Sequence, residues 1–532
     1  MPASCSPNEI AITLNALNSL ISQATNGTVA GNEVCSVSCR ISDPPSRDVT
    51  FWVVTAIMIF VSAMVMLSSH ASPAHFLDLH ERSRAFGYKE SRRTDRRYPL
   101  HQILLSVLGH YRPLCPPKSA DNFLVSRDIP NWFFNYIMLN GFFCVDSFFF
   151  LSGLLLSYLF FKEIFRNPNR LRNPMTWVLF YVRRFLRLTP SYMMFIAFYV
   201  AYLKHLTIGP IELYEDRQVN NCVENWWTNL LYVSNICYLA TWYLAADMQM
   251  YVFSPILLIA LAINQWVVTA IGIMAISIGA NYGTFYKYHF YPTLLHVPGI
   301  NDDPKAGNER EFKLFNYHAA WIRCLPYIVG IMTGYYLQKF KNKRIKVHPV
   351  GAITGWALAT ACALGSLFGI FNYMNGSTDW SVFTRASYNN FSRLGWGLSL
   401  AFVVVACQKG FGGPIKNIMS LKIFTPLGRL SYCAYLVHIM IIYIFLGMWR
   451  QPLHYVSIFE NYVHMGVACI VISYLFAMVW SLMFEIPFGK LEKMLIEGLM
   501  GFFVKRSKRV YQCKDPKEAG SGCKDKIDPK MA

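Results

Sequence analysis

Runs of apolar residues long enough to cross a lipid bilayer recur along the whole chain. A membrane-spanning helix needs about 20 mostly apolar residues, and only helices and closed barrels satisfy their backbone hydrogen bonds in lipid. The runs occupy residues 51–68, 98–111, 133–161, 188–203, 248–263, 267–282, 321–337, 350–371, 394–407, 430–449 and 462–484. The pattern therefore predicts an all-α fold, a polytopic membrane helix bundle of about 11 transmembrane helices.

The composition favours one large membrane domain over several soluble ones. Hydrophobic residues make up 54% of the chain and charged residues only 15%, whereas soluble domains carry about 25% charged residues. The formal net charge is +19, which in a soluble protein would suggest nucleic-acid binding. Here the basic residues concentrate in short loops between apolar runs, so we read them as topology signals and expect no nucleic-acid partner.

Lysine and arginine residues concentrate in every second loop between the apolar runs. The loop after the third run contains Arg183, Arg184 and Arg187, and a basic tail begins near Lys490. Basic loops stay on the cytoplasmic side of a membrane. The alternation predicts a multi-pass protein of the plasma membrane or an endomembrane. Its N-terminus would be lumenal or extracellular and its C-terminus cytoplasmic.

Asparagine and cysteine residues provide candidate modification sites on the predicted lumenal side. The sequons at Asn26, Asn375 and Asn390 are glycosylation candidates. Cys222 and Cys237 share one lumenal loop, where a disulfide could persist in oxidising surroundings. The chain has no C-x-x-C pair and no H-E-x-x-H motif, so the sequence predicts no metal site.

Ionisable side chains within the apolar runs are candidates for a functional site, because charge in a bilayer is costly. Asp146 lies well inside the third run and needs a partner, which Arg323 or Arg429 could provide, and such a pair could be purely structural. Asp247 could face lumenal water. His110 is the best candidate for chemistry, because a histidine accepts and returns protons near neutral pH.

Six motifs, taken in order, resemble one family, the acyltransferase-3 family, and in particular its nose-resistant-to-fluoxetine branch. The resemblance covers about residues 95–490. The motifs are LGH at 108–110, VDSFFFLSGLLLSYL at 145–159, RRFLRLTP at 183–190, TWYLAADMQ at 241–249, PYIVGIMTGY at 326–335 and LSYCAYLVH at 430–438.

The resemblance implies a membrane-bound enzyme that moves an acyl group from acyl-CoA to a hydroxyl acceptor, which could be a lipid, a glycan or a small molecule. It implies that His110 is the catalytic histidine. Under the enzyme hypothesis, Asp146 and Arg323 would support the site, and Trp242 and Tyr243 would line its lumenal mouth. Acyl-CoA would be a co-substrate, with no bound cofactor, and membrane lipids would be partners.

The apolar runs and charges, together with the resemblance, divide the chain into four parts. Residues 1–50 would form a lumenal or extracellular segment and residues 51–70 a leading transmembrane helix. Residues 95–490 would form the acyltransferase-3-like membrane domain. Residues 491–532 would form a basic cytoplasmic tail without regular structure.

One departure from the family pattern concerns the helix that ends at His110. The family usually places an arginine eleven residues before the histidine, and here that position is Pro99. Arg96 lies within about 40° of the same helix face and could substitute, or the helix could begin too late for it to do so. Without the arginine, a lipid or hydrophobic-drug transport protein on the same scaffold is the alternative to an enzyme.

Overall fold

The described part of the chain folds into helices. The computed structural model describes residues 47–70, 129–206, 216–233, 241–294, 300–343, 348–421, 424–447 and 456–498, and within these no strand is present. The long helices are α1 Val49–His70, α2 Phe143–Ile164, α3 Pro174–Leu206, α4 Asp216–Leu230, α5 Thr241–Ala262, α6 Trp266–Tyr288, α7 Ala320–Lys339, α8 Pro349–Phe368, α9 Val382–Lys409, α10 Phe424–Gly447 and α11 Ile458–Gly498.

Eight of the described helices are long and apolar enough to cross a bilayer. They are α2, α3, α5, α6, α8, α9, α10 and α11, and α1 adds a shorter apolar stretch, Val49–Met64. The helix α7 has comparable length but carries Arg323 near its start. The prediction of an all-α polytopic bundle is confirmed. The total of about 11 stays a prediction, because the run at 98–111 lies outside the described residues.

Three helices begin well before the apolar runs that predict them. The helix α3 begins at Pro174 and not at 188, α9 begins at Val382 and not at 394, and α5 begins at Thr241 and not at 248. Arg183, Arg184 and Arg187 therefore lie within α3, and their assignment to a loop is wrong. The early turns of these helices carry polar or charged side chains, which lower the mean hydropathy. Arg385 and Asn389 of α9 and Asp247 of α5 are buried, whereas Arg183 and Arg187 of α3 are exposed.

The helices α2 and α7 run in the same direction with their backbones in contact. A Cβ atom on Gly330 would lie 2.1 Å from the carbonyl oxygen of Phe150, and one on Gly334 would lie 2.4 Å from that of Leu154. Small residues four apart permit this close approach between membrane helices. Because the two helices are in register, their first turns lie at the same level.

Four helices begin near one end of the bundle. The helices α5 and α9 run in the same direction as α2 and α7, since Trp242 at the start of α5 contacts Arg323 and Gly397 of α9 lies beside Pro326. The helix α6 runs the opposite way, because Asn281 near its end contacts Asn389 of α9. Alternating directions agree with the alternating loops of the sequence, and which end faces the cytoplasm stays a prediction.

The described parts of loop 289–319 fold over the same end. Arg385 of α9 pairs with Asp303 of the loop at 2.9 Å, and His289 lies 3.6 Å from the same carboxylate. Burial raises the pKa of Asp303, but hydrogen bonds from the Lys305 amide and from Arg385 outweigh it, so the pKa lies below its usual value. The loop is thus fixed to the helix that it covers.

Candidate functional site

Asp146 and Arg323 form an ion pair inside the bundle. Their closest nitrogen and oxygen atoms are 3.0 Å apart, and each residue is only 1% exposed. The guanidinium also lies 4.1 Å from the ring centre of Tyr317 and 5.5 Å from that of Trp242, where aromatic faces attract a cation. Of the two partners that the sequence left open for Asp146, the structure places Arg323 against it.

Arg393 is a second cation beside this pair, and the sequence analysis missed it. It is 6% exposed, and its Nη2 donates to Asn316 Oδ1 at 3.1 Å. Its Nη1 is buried and has no hydrogen-bond partner among the described residues. We call the cluster of Asp146, Arg323 and Arg393 the polar end of the bundle. Its three charges sum to one positive charge.

A chain of asparagine side chains leads away from Arg393. Asn316 donates to Asn281 at 2.7 Å, Asn281 donates to Asn389 at 3.0 Å, and Asn389 donates to the carbonyl of Pro292 at 2.9 Å. Each amide oxygen accepts from the side nearer Arg393, so the dipoles are aligned and their negative ends point at the guanidinium. Such a chain stabilises the cation but adds no negative charge.

A small cleft of about 30 Å³ opens among these side chains. That space holds about two water molecules. The residues that line it include Asp146, Arg323, Arg393, Tyr317, Tyr388 and Asn389. The charged side chains of the polar end therefore border an open space and are not fully packed against other protein atoms.

His318 packs face to face on Trp242 at 4.8 Å. Burial, together with the nearby charges of Arg323 and Lys313, lowers the pKa of His318 to about 3. A general base works best with a pKa near the working pH, so His318 is a poor proton acceptor. Trp242, predicted to line the lumenal mouth, is 7% exposed and lies within this stack.

A second buried ion pair joins Arg184 of α3 to Asp247 of α5. Asp247 is 6% exposed, so the expectation that it could face lumenal water is wrong. The Arg184 guanidinium lies 4.2 Å from the ring centre of Tyr251. Tyr243, the other residue predicted at the mouth, stacks on Phe149 at 4.8 Å. We call Arg184 and Asp247 the tyrosine-lined pair, because Tyr232, Tyr243, Tyr251 and Tyr327 act on it electrostatically.

The structure does not describe the position of the catalytic candidate, His110. His110, Arg96, Pro99, Asn26 and Cys237 all lie outside the described residues. Cys222 is disulfide-bonded, while the other cysteines of the described segments carry free thiols, so its partner lies outside those segments. The pairing of Cys222 with Cys237 therefore stays a prediction.

The two described sequons differ in accessibility. Asn375 lies in a turn between α8 and α9, where its side chain accepts from the amide of Ser377 at 3.0 Å. Asn390 is 1% exposed in the third turn of α9, and its side-chain Oδ1 accepts from Asn281 Nδ2 at 2.8 Å. A glycan on Asn390 would require this contact and the helix packing to open. The structure therefore places Asn390 in the core, against its prediction as a glycosylation site. In the described segments no three His, Cys, Asp or Glu side chains gather as metal ligands.

Comparison with known proteins gives one family and two curated relatives. Over 423 residues, 74% of this chain, the sequence is 30% identical to nose resistant to fluoxetine protein 6 of Caenorhabditis elegans, and it covers 50% of that protein's length. It is 25% identical over 390 residues to regulator of hypoxia-inducible factor 1 of the same species, covering 67% of this chain and 70% of that protein. No solved structure gives a significant match. The Acyl_transf_3 model, described as an acyltransferase domain, matches residues 103–482, and the chain therefore belongs to this acyltransferase family.

Proposed function

We propose that the protein is a membrane-bound O-acyltransferase that moves an acyl group from acyl-CoA to a hydroxyl acceptor. Membership of the family supports a membrane acyltransferase-like role. The observation that carries the proposal further is the polar end, where Arg323 and Arg393 line a cleft inside an apolar bundle. Buried cations next to a cleft are suited to an acyl-transfer reaction, in which negative charge develops on a carbonyl oxygen.

The reaction that we propose needs one base and one cation. His110 removes the proton of the acceptor hydroxyl, and the oxygen attacks the thioester carbonyl. The C–S bond then breaks, and the coenzyme A thiolate takes the proton back from the imidazolium. Arg323 is the cation that we assign to the tetrahedral oxyanion, because its Nε has no hydrogen-bond partner among the described residues. Asp146 holds its Nη1 and so fixes the guanidinium.

A series of polar side chains also extends deeper into the bundle. Asp247 follows Trp242 by five residues on α5, which corresponds to about 7.5 Å along a helix. The tyrosine-lined pair therefore lies below the polar end. We propose that the polar end faces the lumen or the outside and that the acyl group arrives from cytoplasmic acyl-CoA. The basic loops of the sequence support this orientation.

The decisive test replaces His110. In lipid vesicles, His110→Ala should abolish release of coenzyme A from acyl-CoA while expression and helix content stay unchanged. His464→Ala is the matched control, since His464 is exposed on α11 and should keep full turnover. Unchanged turnover in His110→Ala would remove the general-base assignment.

A second variant tests the departure from the family pattern. Arg96→Ala should lower turnover if Arg96 replaces the arginine that the family has at the position of Pro99. Arg97→Ala is its control, because the next residue points about 100° around the helix. Full activity in Arg96→Ala would show that Arg96 has no such role.

The alternative function is lipid or hydrophobic-drug transport without acyl transfer. Pro99 in place of the family's arginine favours it, and one relative is named for resistance to fluoxetine. A transport protein would move a labelled lipid or a hydrophobic amine across a vesicle membrane without consuming acyl-CoA. The His110→Ala variant would then transport normally.

A further inference from the structure

The charge of the polar end is not balanced by the described protein groups. Arg323 already uses Asp146 as its partner at 3.0 Å, and the hydrogen bond of Arg393 goes to the neutral amide of Asn316. No carboxylate in the described segments forms an ion pair with Arg393. A buried cation without a counterion is costly in an apolar environment. One negatively charged group bound at the polar end would therefore neutralise its excess positive charge.

Geometry places the unbalanced charge at the cleft. Arg393 lines the cleft, is 6% exposed and keeps a buried Nη1 without a hydrogen-bond partner. Nearby, the side chain of Asn389 donates to Pro292 and accepts from Asn281, so it is already engaged in the asparagine chain. Arg393 is thus the cation at the cleft that has no carboxylate partner among the described residues, whereas Arg323 is already paired with Asp146 and keeps its Nε for the proposed oxyanion.

We propose that this cleft binds a carboxylate group and, resting on the proposed function, that the hydroxyl acceptor is a hydroxy acid. A carboxylate carries the single negative charge that the cluster requires. Its two oxygens match the planar fork of a guanidinium, and the cleft has room for about two oxygen-sized groups. A phosphate dianion would bring more charge than the three residues balance.

The binding test uses acetate as the probe on the full-length protein in neutral phosphatidylcholine nanodiscs. At constant ionic strength, acetate should raise the unfolding temperature saturably, and acetamide, its neutral counterpart, should not. Arg393→Gln should weaken acetate binding by about tenfold or more. Arg385→Gln is the matched control, since Arg385 lies on the same helix and already pairs with Asp303. It should lower stability while leaving the acetate response intact.

A second variant keeps the proposal testable if Arg393→Gln fails to fold. Asp146→Asn raises the summed charge of the cluster from one to two positive charges, so acetate should bind more tightly than to the unaltered protein. Weaker or unchanged acetate binding in that variant would contradict the proposed charge balance. An equal acetate response in Arg393→Gln and in the unaltered protein would overturn the site, and a response to inorganic phosphate but not to acetate would overturn the carboxylate.

The proposed function and the proposed carboxylate site can each be refuted without refuting the other. His110→Ala should lose release of coenzyme A but keep the acetate response, because His110 is not among the groups assigned to the anion. If the unaltered protein turns over acyl-CoA in a His110-dependent way but shows no acetate response, the carboxylate site alone is refuted. An acetate response with turnover unaffected by His110→Ala refutes the general base and leaves the carboxylate site standing.

Discussion

The two buried ion pairs of the bundle differ in charge balance. The tyrosine-lined pair has one cation, Arg184, and one carboxylate, Asp247. The polar end has the same pairing between Asp146 and Arg323 but adds Arg393. The described cleft lies at the polar end. The charges of the tyrosine-lined pair cancel within the folded protein. The polar end keeps one uncancelled positive charge, which an anionic ligand could neutralise.

Burial of charge does not by itself identify a functional site. A buried pair is often no more stabilising than well-packed apolar residues, but removing one partner leaves an uncompensated charge and is costly. The tyrosine-lined pair therefore connects α3 to α5 as a structural element. The polar end shares that role through Asp146 and Arg323 and has one cation in excess.

Breaking the balanced pair should have the largest effect at neutral pH. Arg184→Met leaves Asp247 alone inside the bundle and should destabilise the protein by about 3–5 kcal/mol. Arg323→Met should cost less, because Arg393 acts electrostatically on Asp146 and can replace the lost partner. Thermal unfolding in detergent measures both. Arg183→Met is the control, since Arg183 is exposed beside Arg184, and equal losses in the two test variants would erase the contrast between the pairs.

Moving α2 away from α7 should disturb the polar end selectively. Gly330→Ala places a Cβ atom 2.1 Å from the carbonyl oxygen of Phe150, and overpacking of this kind costs about 1–3 kcal/mol. The loss should appear as a lower unfolding temperature and a weaker acetate response. In the control Gly272→Ala the new methyl group meets nothing within 4 Å, so stability should hold or rise. Equal effects of the two substitutions would contradict the close packing.

Acid should destabilise the polar end through His318. Its pKa in the folded protein is lowered to about 3, while in an unfolded chain it is about 6.5. The unfolded state therefore binds a proton first as pH falls, so stability declines between about pH 6.5 and 3, by up to about 1.4 kcal/mol per pH unit. His318→Gln should remove this part of the decline, as measured by unfolding across pH. The exposed His464→Gln should leave it unchanged, and an unaltered profile in His318→Gln would rule His318 out.

The smallest effect should come from the ion pair that fixes the loop. Asp303 is partly exposed, and solvent-screened pairs contribute under about 1 kcal/mol. Asp303→Asn should lower the unfolding temperature slightly and increase proteolysis within loop 289–319. The pKa of Asp303 is lowered in the folded state, so the pair stabilises the protein above about pH 4 and loses this contribution as pH falls further. A loss as large as that of Arg184→Met would mean that the loop is part of the core.

The sequence predicted the helices well where their outer faces are apolar. The runs that predict α1, α7 and α8 agree with the described helices to within three residues at each end, because a membrane-spanning helix needs a long apolar run. It also singled out Asp146 and Arg323, since a charge within a strongly apolar run is conspicuous.

Residues buried at helix–helix contacts could not be found in the same way. Arg393 immediately precedes the apolar run of the predicted ninth helix, and Arg184 lies among other arginines in what reads as a basic loop. Hydropathy averages over all faces of a helix, so polar residues that face the protein interior shorten the predicted span. Asn316 lies in a short π-helical turn, Lys313–Tyr317, and His318 directly follows it, and only tertiary structure shows their contacts.

The common direction of α2, α5, α7 and α9 has an electrostatic consequence for the polar end. Each helix carries about half a positive charge at its N-terminus, from the aligned dipoles of its peptide groups. The starts of α2 and α7 lie at the level of Asp146 and Arg323 because Gly330 and Gly334 keep these two helices in register. The backbone thus adds positive potential where the side chains already carry an excess cation. An anion at the polar end would be attracted by the macrodipoles of these helices as well as by Arg393.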